Sequence, residues 1–347
     1  MNGEIKALTG MRGLAILFVY LSHSSKAGIN LFSALDFSGA GRYGVFMFFV
    51  LSAYLLTKQF LDTNIKTNIT KYIITFFIKR ILRIYPLFIL SLLIYYMLYK
   101  FGYKIWDIEL KDVWLSILLS KGIGVFWAIP VEFQYYFIIP FVSVYLLKYS
   151  DNIIGVTVVS FLFLVVYTIY IKHEYQPNVI PFLSIFYMGS YLAYIQNKIE
   201  RYQFTRNVYY LLMRIFDFLS IIMFSIFILL VPSVFTIFSG EPVPLGYFHH
   251  HFILLGLLSS ILIFSVINSS GVIYKLLSSD IMCFIGRISF SMYLGHYIII
   301  AIVYKYIGLF PGVLSFLVCF LLTISLSWVS YRVIEKPLFD LRHKVII

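Results

Sequence analysis

A bilayer core needs about 20 consecutive apolar residues per spanning helix, and this sequence contains ten such runs. They lie roughly at 8–24, 43–60, 84–101, 127–147, 153–171, 179–196, 208–231, 251–267, 288–307 and 312–331. The runs are long and continuous, without the short alternation of an outer-membrane barrel. The expected fold is therefore an all-α polytopic membrane protein of about ten transmembrane helices. The shorter stretch 113–125 reads as an interfacial or re-entrant segment. Hydrophobic residues make up 61% of the chain and charged residues 12%, too few charges to cover a soluble globule. The net charge of +12 therefore bears on topology rather than on nucleic acid, and the lipid bilayer is the expected partner. One integral-membrane domain over 1–347, with no separate soluble domain, is expected.

Ten spans put both termini on one side. With the termini inside, the cytoplasmic segments hold eighteen Lys and Arg against eight in the outer segments, so the positive-inside rule places both termini in the cytoplasm. The start imitates a secretory signal, since Lys6 and Arg12 precede an apolar run. Ser25-Lys26-Ala27 is a poor cleavage site, however, and the segment is expected to remain. Cys283 and Cys319 form neither a disulfide framework nor a metal-ligand set; packing is their expected role, and no metal is expected.

Ionisable residues within spans are functional candidates by default. Arg12 and His23 are eleven residues apart on one predicted helix. At 100° per residue they share a face, with an axial separation of about 16.5 Å. An always-charged guanidinium at the membrane edge can meet phosphates, and a neutral imidazole beyond mid-membrane can act as a base. A snorkelling Arg and an interfacial His are the bland alternative. Arg80 and Arg83 are i, i+3 and share a face. Two guanidiniums so placed suit a polyphosphate, although a basic run at a boundary also fixes topology. Glu132 is expected near the outer end of its span, where a carboxylate needs a partner. Tyr135 and Tyr136, three and four residues on, are positioned to share a polar pocket with it, close to Trp127.

Weaker signals are Arg214 and Asp217, an i, i+3 pair that can neutralise itself, and His249-His250-His251, which point in different helical directions and make a poor zinc site. His296 follows Ser289 by seven residues on a similar face. Glu335-Lys336-Pro337 close the last run with a charged cap.

In this order the residues resemble the membrane acyltransferase-3 family over about residues 5–338. Arg12 and His23 match its Arg-x10-His. Gly44 through Tyr54 match its Gly-Val-x-x-Phe-Phe-x-x-Ser-Gly-Phe stretch, with Ala53 in place of the usual Gly. Arg80-Ile81-Leu82-Arg83-Ile84-Tyr85-Pro86 match Arg-x-x-Arg-Ile-Tyr-Pro. Trp127 through Pro140, Ser289 through His296 and Ser330 through Pro337 resemble three further blocks. Phe133 stands where many members carry a second acidic residue. The resemblance is to the family's membrane domain alone, without an SGNH-type esterase domain.

The resemblance implies an acyl-CoA-dependent O-acyltransferase of a bacterial cytoplasmic membrane. It would move an acyl group, most often acetyl from acetyl-CoA, to a hydroxyl of a surface or lipid-linked glycan. His23 would be the general base, assisted by Glu132. Arg12, Arg80 and Arg83 would hold the CoA phosphates. Trp127, Tyr135, Tyr136 and His296 would contact the acceptor. A transporter or flippase of lipid-linked saccharides, or a non-enzymatic export component, is the rival reading. It gives Arg-x10-His and Arg-x-x-Arg no evident role, and no paired-half arrangement is visible. A prenyltransferase is excluded for want of paired aspartate-rich motifs.

Overall fold

The computed structural model describes residues 5–32, 35–62, 69–103, 105–170, 178–244, 247–307 and 312–344. Lys66, Lys104 and Lys172, which enter the charge comparison, lie outside the described residues, as do the side chains of His249 and His250. The described residues contain fifteen α-helices in the order α1 (Lys6–Lys26), α2 (Gly41–Asp62), α3 (Ile69–Lys100), α4 (Leu110–Ile117), α5 (Ala128–Lys148), α6 (Ile153–Tyr170), α7 (Leu183–Arg201), α8 (Arg206–Leu229), α9 (Pro232–Ser239), α10 (Phe252–Ile267), α11 (Val272–Leu277), α12 (Asp280–Arg287), α13 (Ser289–Ile307), α14 (Gly312–Ser330) and α15 (Lys336–Lys344). No strand occurs among them.

Each of the ten apolar runs is helical, but they are not equivalent. Among the described residues six helices are long and apolar enough to cross a membrane, or seven if α12 and α13, bent by 74° at their junction, form one span. The protein is thus a multi-pass membrane protein. The difference from ten has a physical cause in α1 and α7. Both are packed inside the bundle, with 15 of 21 residues of α1 buried. A helix that faces other helices rather than lipid can replace apolar residues by Gly, Ser, Thr and His. By contrast α6 and α8 present rows of exposed Val, Leu, Ile and Phe, the surface that lipid covers.

Helix α1 is the axis of the fold, packed against α2, α12 and α13. Glycines allow the approach. A Cβ on Gly10 would lie 1.7 Å from the Leu277 carbonyl oxygen, and one on Gly44 would lie 2.1 Å from that of Ala15. Backbone at these crossings occupies the space a side chain would need. The stretch 113–125 resolves into the end of α4, a connection and the start of a 3-10 turn, Gly124–Trp127, that leads into α5. Asp217, which spacing sets beside Arg214, accepts the backbone N–H groups of Ser270 and Gly271 at 2.8 and 2.6 Å. It therefore ties α8 to the start of α11. Cys283 and Cys319 are buried and form no disulfide with each other.

Candidate active site

Two helices lay out the site along a common line. On α1, Arg12, Val19 and His23 recur at i, i+7 and i+11, one face over three turns. On α13, Ser289, Tyr293 and His296 recur at i, i+4 and i+7. The sharp bend before Ser289 turns this second face toward the first, and α1 and α13 are in contact.

At the Arg12 end lies a cavity of about 520 Å³, lined by Arg12, Arg80, Arg83, Glu132, Tyr136, Ser52 and Ser289 among others. Three guanidiniums face one carboxylate within its wall. Glu132 accepts hydrogen bonds from the hydroxyls of Ser52 and Tyr136, each at 2.6 Å. The Arg80 guanidinium also lies over the Phe76 ring, 5.8 Å from its centroid. Behind this wall, a π-helical turn at Tyr331–Glu335 carries Glu335, which accepts a hydrogen bond from the Ser291 hydroxyl. Arg83 and Arg12 are among the electrostatic neighbours of Glu335. The cavity retains an excess of positive charge in a low-dielectric surrounding, where charge-assisted bonds to a polyphosphate are strong.

At the His23 end lies a second cavity of about 440 Å³, lined by His23, Lys26, Arg42, Trp106, Trp127, Tyr293 and Tyr297 among others. Val45 and Tyr293 line both cavities. The two spaces therefore stand back to back, with those side chains as the common wall. The Tyr293 hydroxyl donates to the Val125 carbonyl in the 3-10 turn before α5, which holds the ring at that wall.

His23 Nδ1 is 2.7 Å from His296 Nε2, with the rings within 6° of parallel and 5.0 Å between centroids. His296 is fully buried, and its Nδ1 lies 3.0 Å from the Met292 carbonyl and 2.8 Å from that of Tyr293. Carbonyls only accept, so the hydrogen of neutral His296 sits on Nδ1 and its Nε2 is an acceptor. His23 Nδ1–H must then donate to it. That leaves His23 Nε2 with a free lone pair. Gly41 lies beside this nitrogen: a Cβ added there would come 3.8 Å from it, an ordinary contact. The dyad thus fixes the His23 tautomer from behind and leaves its Nε2 unprotonated.

The structure regroups several residues singled out from sequence. Arg12, Arg80 and Arg83 line one cavity. Glu132 lines the cavity with them and not the His23 cavity, and the second turn of α5 that carries it meets Ser52, halfway along α2. Of the four residues expected at the acceptor, Trp127 lines the His23 cavity and Tyr136 lines the arginine cavity. Tyr135 lines neither: its hydroxyl pairs with Ser190 at 2.8 Å and its ring stacks on Phe186. A helix turns 100° per residue, and here that turn carries Tyr135 and Tyr136 to different surroundings. His296 supports His23 instead of lining a cavity. Tyr293, Ser52 and Glu335 fall within larger sequence blocks and are not marked by spacing as site residues. Their spacing relative to His296, Glu132 and Ser291 becomes informative only once the helices are packed.

With this geometry in place, comparison with known proteins identifies the class. Residues 5–332 match the acyltransferase-3 family model, described as an acyltransferase domain, and the chain belongs to that family. It is 27% identical over 96% of its length to "Putative O-acetyltransferase SACOL0978" of Staphylococcus aureus (strain COL). It is 24% identical, again over 96% of its length, to "O-acetyltransferase OatA" of Staphylococcus aureus (strain NCTC 8325 / PS 47). In both cases the match covers 57% of the relative, so the chain spans a little over half the length of these proteins. No solved structure matches the chain. Family membership and these relatives support O-acyltransferase activity.

Proposed function

We propose that the protein transfers an acyl group, most often acetyl, from acyl-CoA held at the arginine end to a glycan hydroxyl at the His23 end. The observation that carries this reading is the back-to-back pair of cavities along α1, one rich in guanidinium and the other holding a pre-oriented imidazole. The diphosphate and ribose phosphate of CoA pair with Arg12, Arg80 and Arg83. The pantetheine arm runs along α1, whose rise from Arg12 to His23 is about 16.5 Å, and brings the thioester to the wall formed by Val45 and Tyr293.

The acceptor hydroxyl loses its proton to His23 Nε2 as its oxygen attacks the thioester carbonyl. The new C–O bond replaces the C–S bond. The departing CoA thiolate takes the proton back from the imidazolium, so the enzyme returns to its starting state. During this cycle His296 accepts the His23 Nδ1–H bond, which keeps the ring oriented. Attack by His23 itself, through an acetyl-imidazole, is the alternative route. Glu132 balances the arginine cluster and, with Ser52 and Tyr136, holds its shape. The arginine end faces the cytoplasm of a bacterial cell and both termini lie on that side, in keeping with the positive-inside count.

Single-turnover transfer from labelled acetyl-CoA by pure protein in lipid tests the reaction; a chain that moves saccharide but leaves acetyl-CoA intact would favour transport. Arg80→Ala and Arg83→Ala are each expected to weaken acetyl-CoA binding by about 1–3 kcal/mol, the worth of a charge-assisted bond. Isothermal titration reads this directly, and unchanged affinity in both would reduce these arginines to topology anchors. Orientation is checked separately. A cysteine introduced at exposed Gln203, between α7 and α8, should be shielded from an impermeant thiol reagent in intact cells, whereas one at Glu241 should be labelled. The two native cysteines are buried and should contribute little background.

A further inference from the structure

A third cavity, of about 270 Å³, lies at the corner where α12, the end of α14 and the π-helical turn Tyr331–Glu335 meet. Arg287, Arg332 and Lys336 line it, together with the rings of Trp328 and Tyr331. Arg287 is the last residue of α12, just before the sharp bend into α13. Trp328, Arg332 and Lys336 follow one another at intervals of four along the end of α14, the π turn and the start of α15. Two segments distant in sequence thus bring three cations to one corner, and all three are exposed. Among the described residues none of the three takes part in an ion pair, and no Asp or Glu lines the space. Glu335, on the same turn, accepts from the Ser291 hydroxyl instead.

The position of this corner decides which anion can reach it. Helix α14 belongs to one of the apolar spans, and its Leu321, Leu322, Leu326 and Val329 are exposed, the kind of surface that lipid tails cover. At the end of that row stands exposed Trp328, and an indole at the end of a span sits at headgroup level. The Arg332 guanidinium lies over the Trp328 ring, 5.6 Å from its centroid. A guanidinium held over a ring keeps N–H groups for oxygen acceptors. Basic pockets between spanning helices at the membrane edge bind phosphate headgroups. The arginine cavity lies on the other side of the same turn, where Glu335 meets Ser291 and has Arg83 and Arg12 among its electrostatic neighbours. One basic site therefore faces into the bundle and the other outward to lipid.

We propose that this corner binds an anionic phospholipid, with its phosphate held by Arg287, Arg332 and Lys336, its glycerol region against Trp328 and its chains along the exposed row of α14. The bound lipid bridges α12 to the end of α14, beside the bend that turns α13 toward α1. This site is independent of the reaction proposed above.

Binding of tritiated lipids to the immobilised full chain in mixed detergent–lipid micelles tests the proposal without relying on catalysis. Phosphatidylglycerol and phosphatidylcholine with identical acyl chains are compared by scintillation proximity. Phosphatidylglycerol is expected to bind about tenfold or more tightly, a preference that two or three cations at a headgroup can supply. The preference should vanish in the triple variant Arg287→Gln, Arg332→Gln and Lys336→Gln. It should survive in Arg287→Lys with Arg332→Lys and Lys336→Arg, which keeps the charges. A second triple variant, Lys198→Gln, Arg201→Gln and Arg206→Gln on α7 and α8, removes as much charge elsewhere and should leave the preference unchanged. If the first triple variant fails to fold, its three single Gln variants replace it, and each should lower the preference. Inorganic pyrophosphate at matched ionic strength should not displace the bound lipid; displacement would assign the corner to a soluble phosphate. Equal affinity for the two lipids, a preference that persists in the first Gln set, or its loss in the second would each overturn the proposal.

Discussion

His23→Gln should insert and fold normally and should still bind acetyl-CoA, but transfer should fall by at least about 10²-fold, the usual loss when a general base is removed. The glutamine amide fills much of the ring's volume and can still donate to His296 Nε2. It cannot take up a proton from an attacking hydroxyl. Donor affinity should be preserved because the arginines proposed to bind the CoA phosphates line a separate cavity, beyond the shared wall of Val45 and Tyr293. Single-turnover kinetics with labelled acetyl-CoA separate the two quantities. Near-normal transfer by His23→Gln would make the imidazole structural and move the search for a base to another residue. Loss of donor binding together with transfer would show that the two cavities are not functionally distinct.

The parts of this arrangement that were legible in the sequence are those encoded within one helix. The common face of Arg12 and His23 follows from their spacing alone, and so does that of Arg80 and Arg83. Each of the ten long apolar runs coincides with a helix, although only six or seven among the described residues are long and apolar enough to span. Hydropathy misleads for α1, the helix that matters most. Its neighbours are other helices, so polar and small residues replace the apolar ones that mark a span. Long-range pairings were not legible. His23 and His296 are 273 positions apart, and only the bend between α12 and α13 makes Ser289, Tyr293 and His296 face α1. The surroundings of Glu132 were not legible for the same reason: its partner Ser52 is 80 positions away on α2, and spacing within α5 does not give that pairing.

His296 is where sequence and structure differ most in what they predict. From spacing alone it is one more polar residue near the acceptor, and its loss should be mild. From the geometry it fixes which nitrogen of His23 carries the hydrogen. His296→Phe keeps a ring in the same buried space but offers no acceptor to His23 Nδ1. The His23 ring can then flip or change tautomer, and Nε2 is presented unprotonated to the acceptor only part of the time. A transfer loss of about 10–10²-fold is expected, with acetyl-CoA affinity unchanged, since orientation supplies only part of the effect of the base itself. His296→Gln should recover part of the rate, because its amide oxygen can accept the His23 N–H bond while its NH2 group serves the carbonyls of Met292 and Tyr293. The informative comparison is therefore Phe against Gln at one site, measured by single-turnover transfer in lipid. If the two variants are equally slow, His296 acts by packing. If Gln is clearly faster than Phe, its acceptor atom is what sets the base.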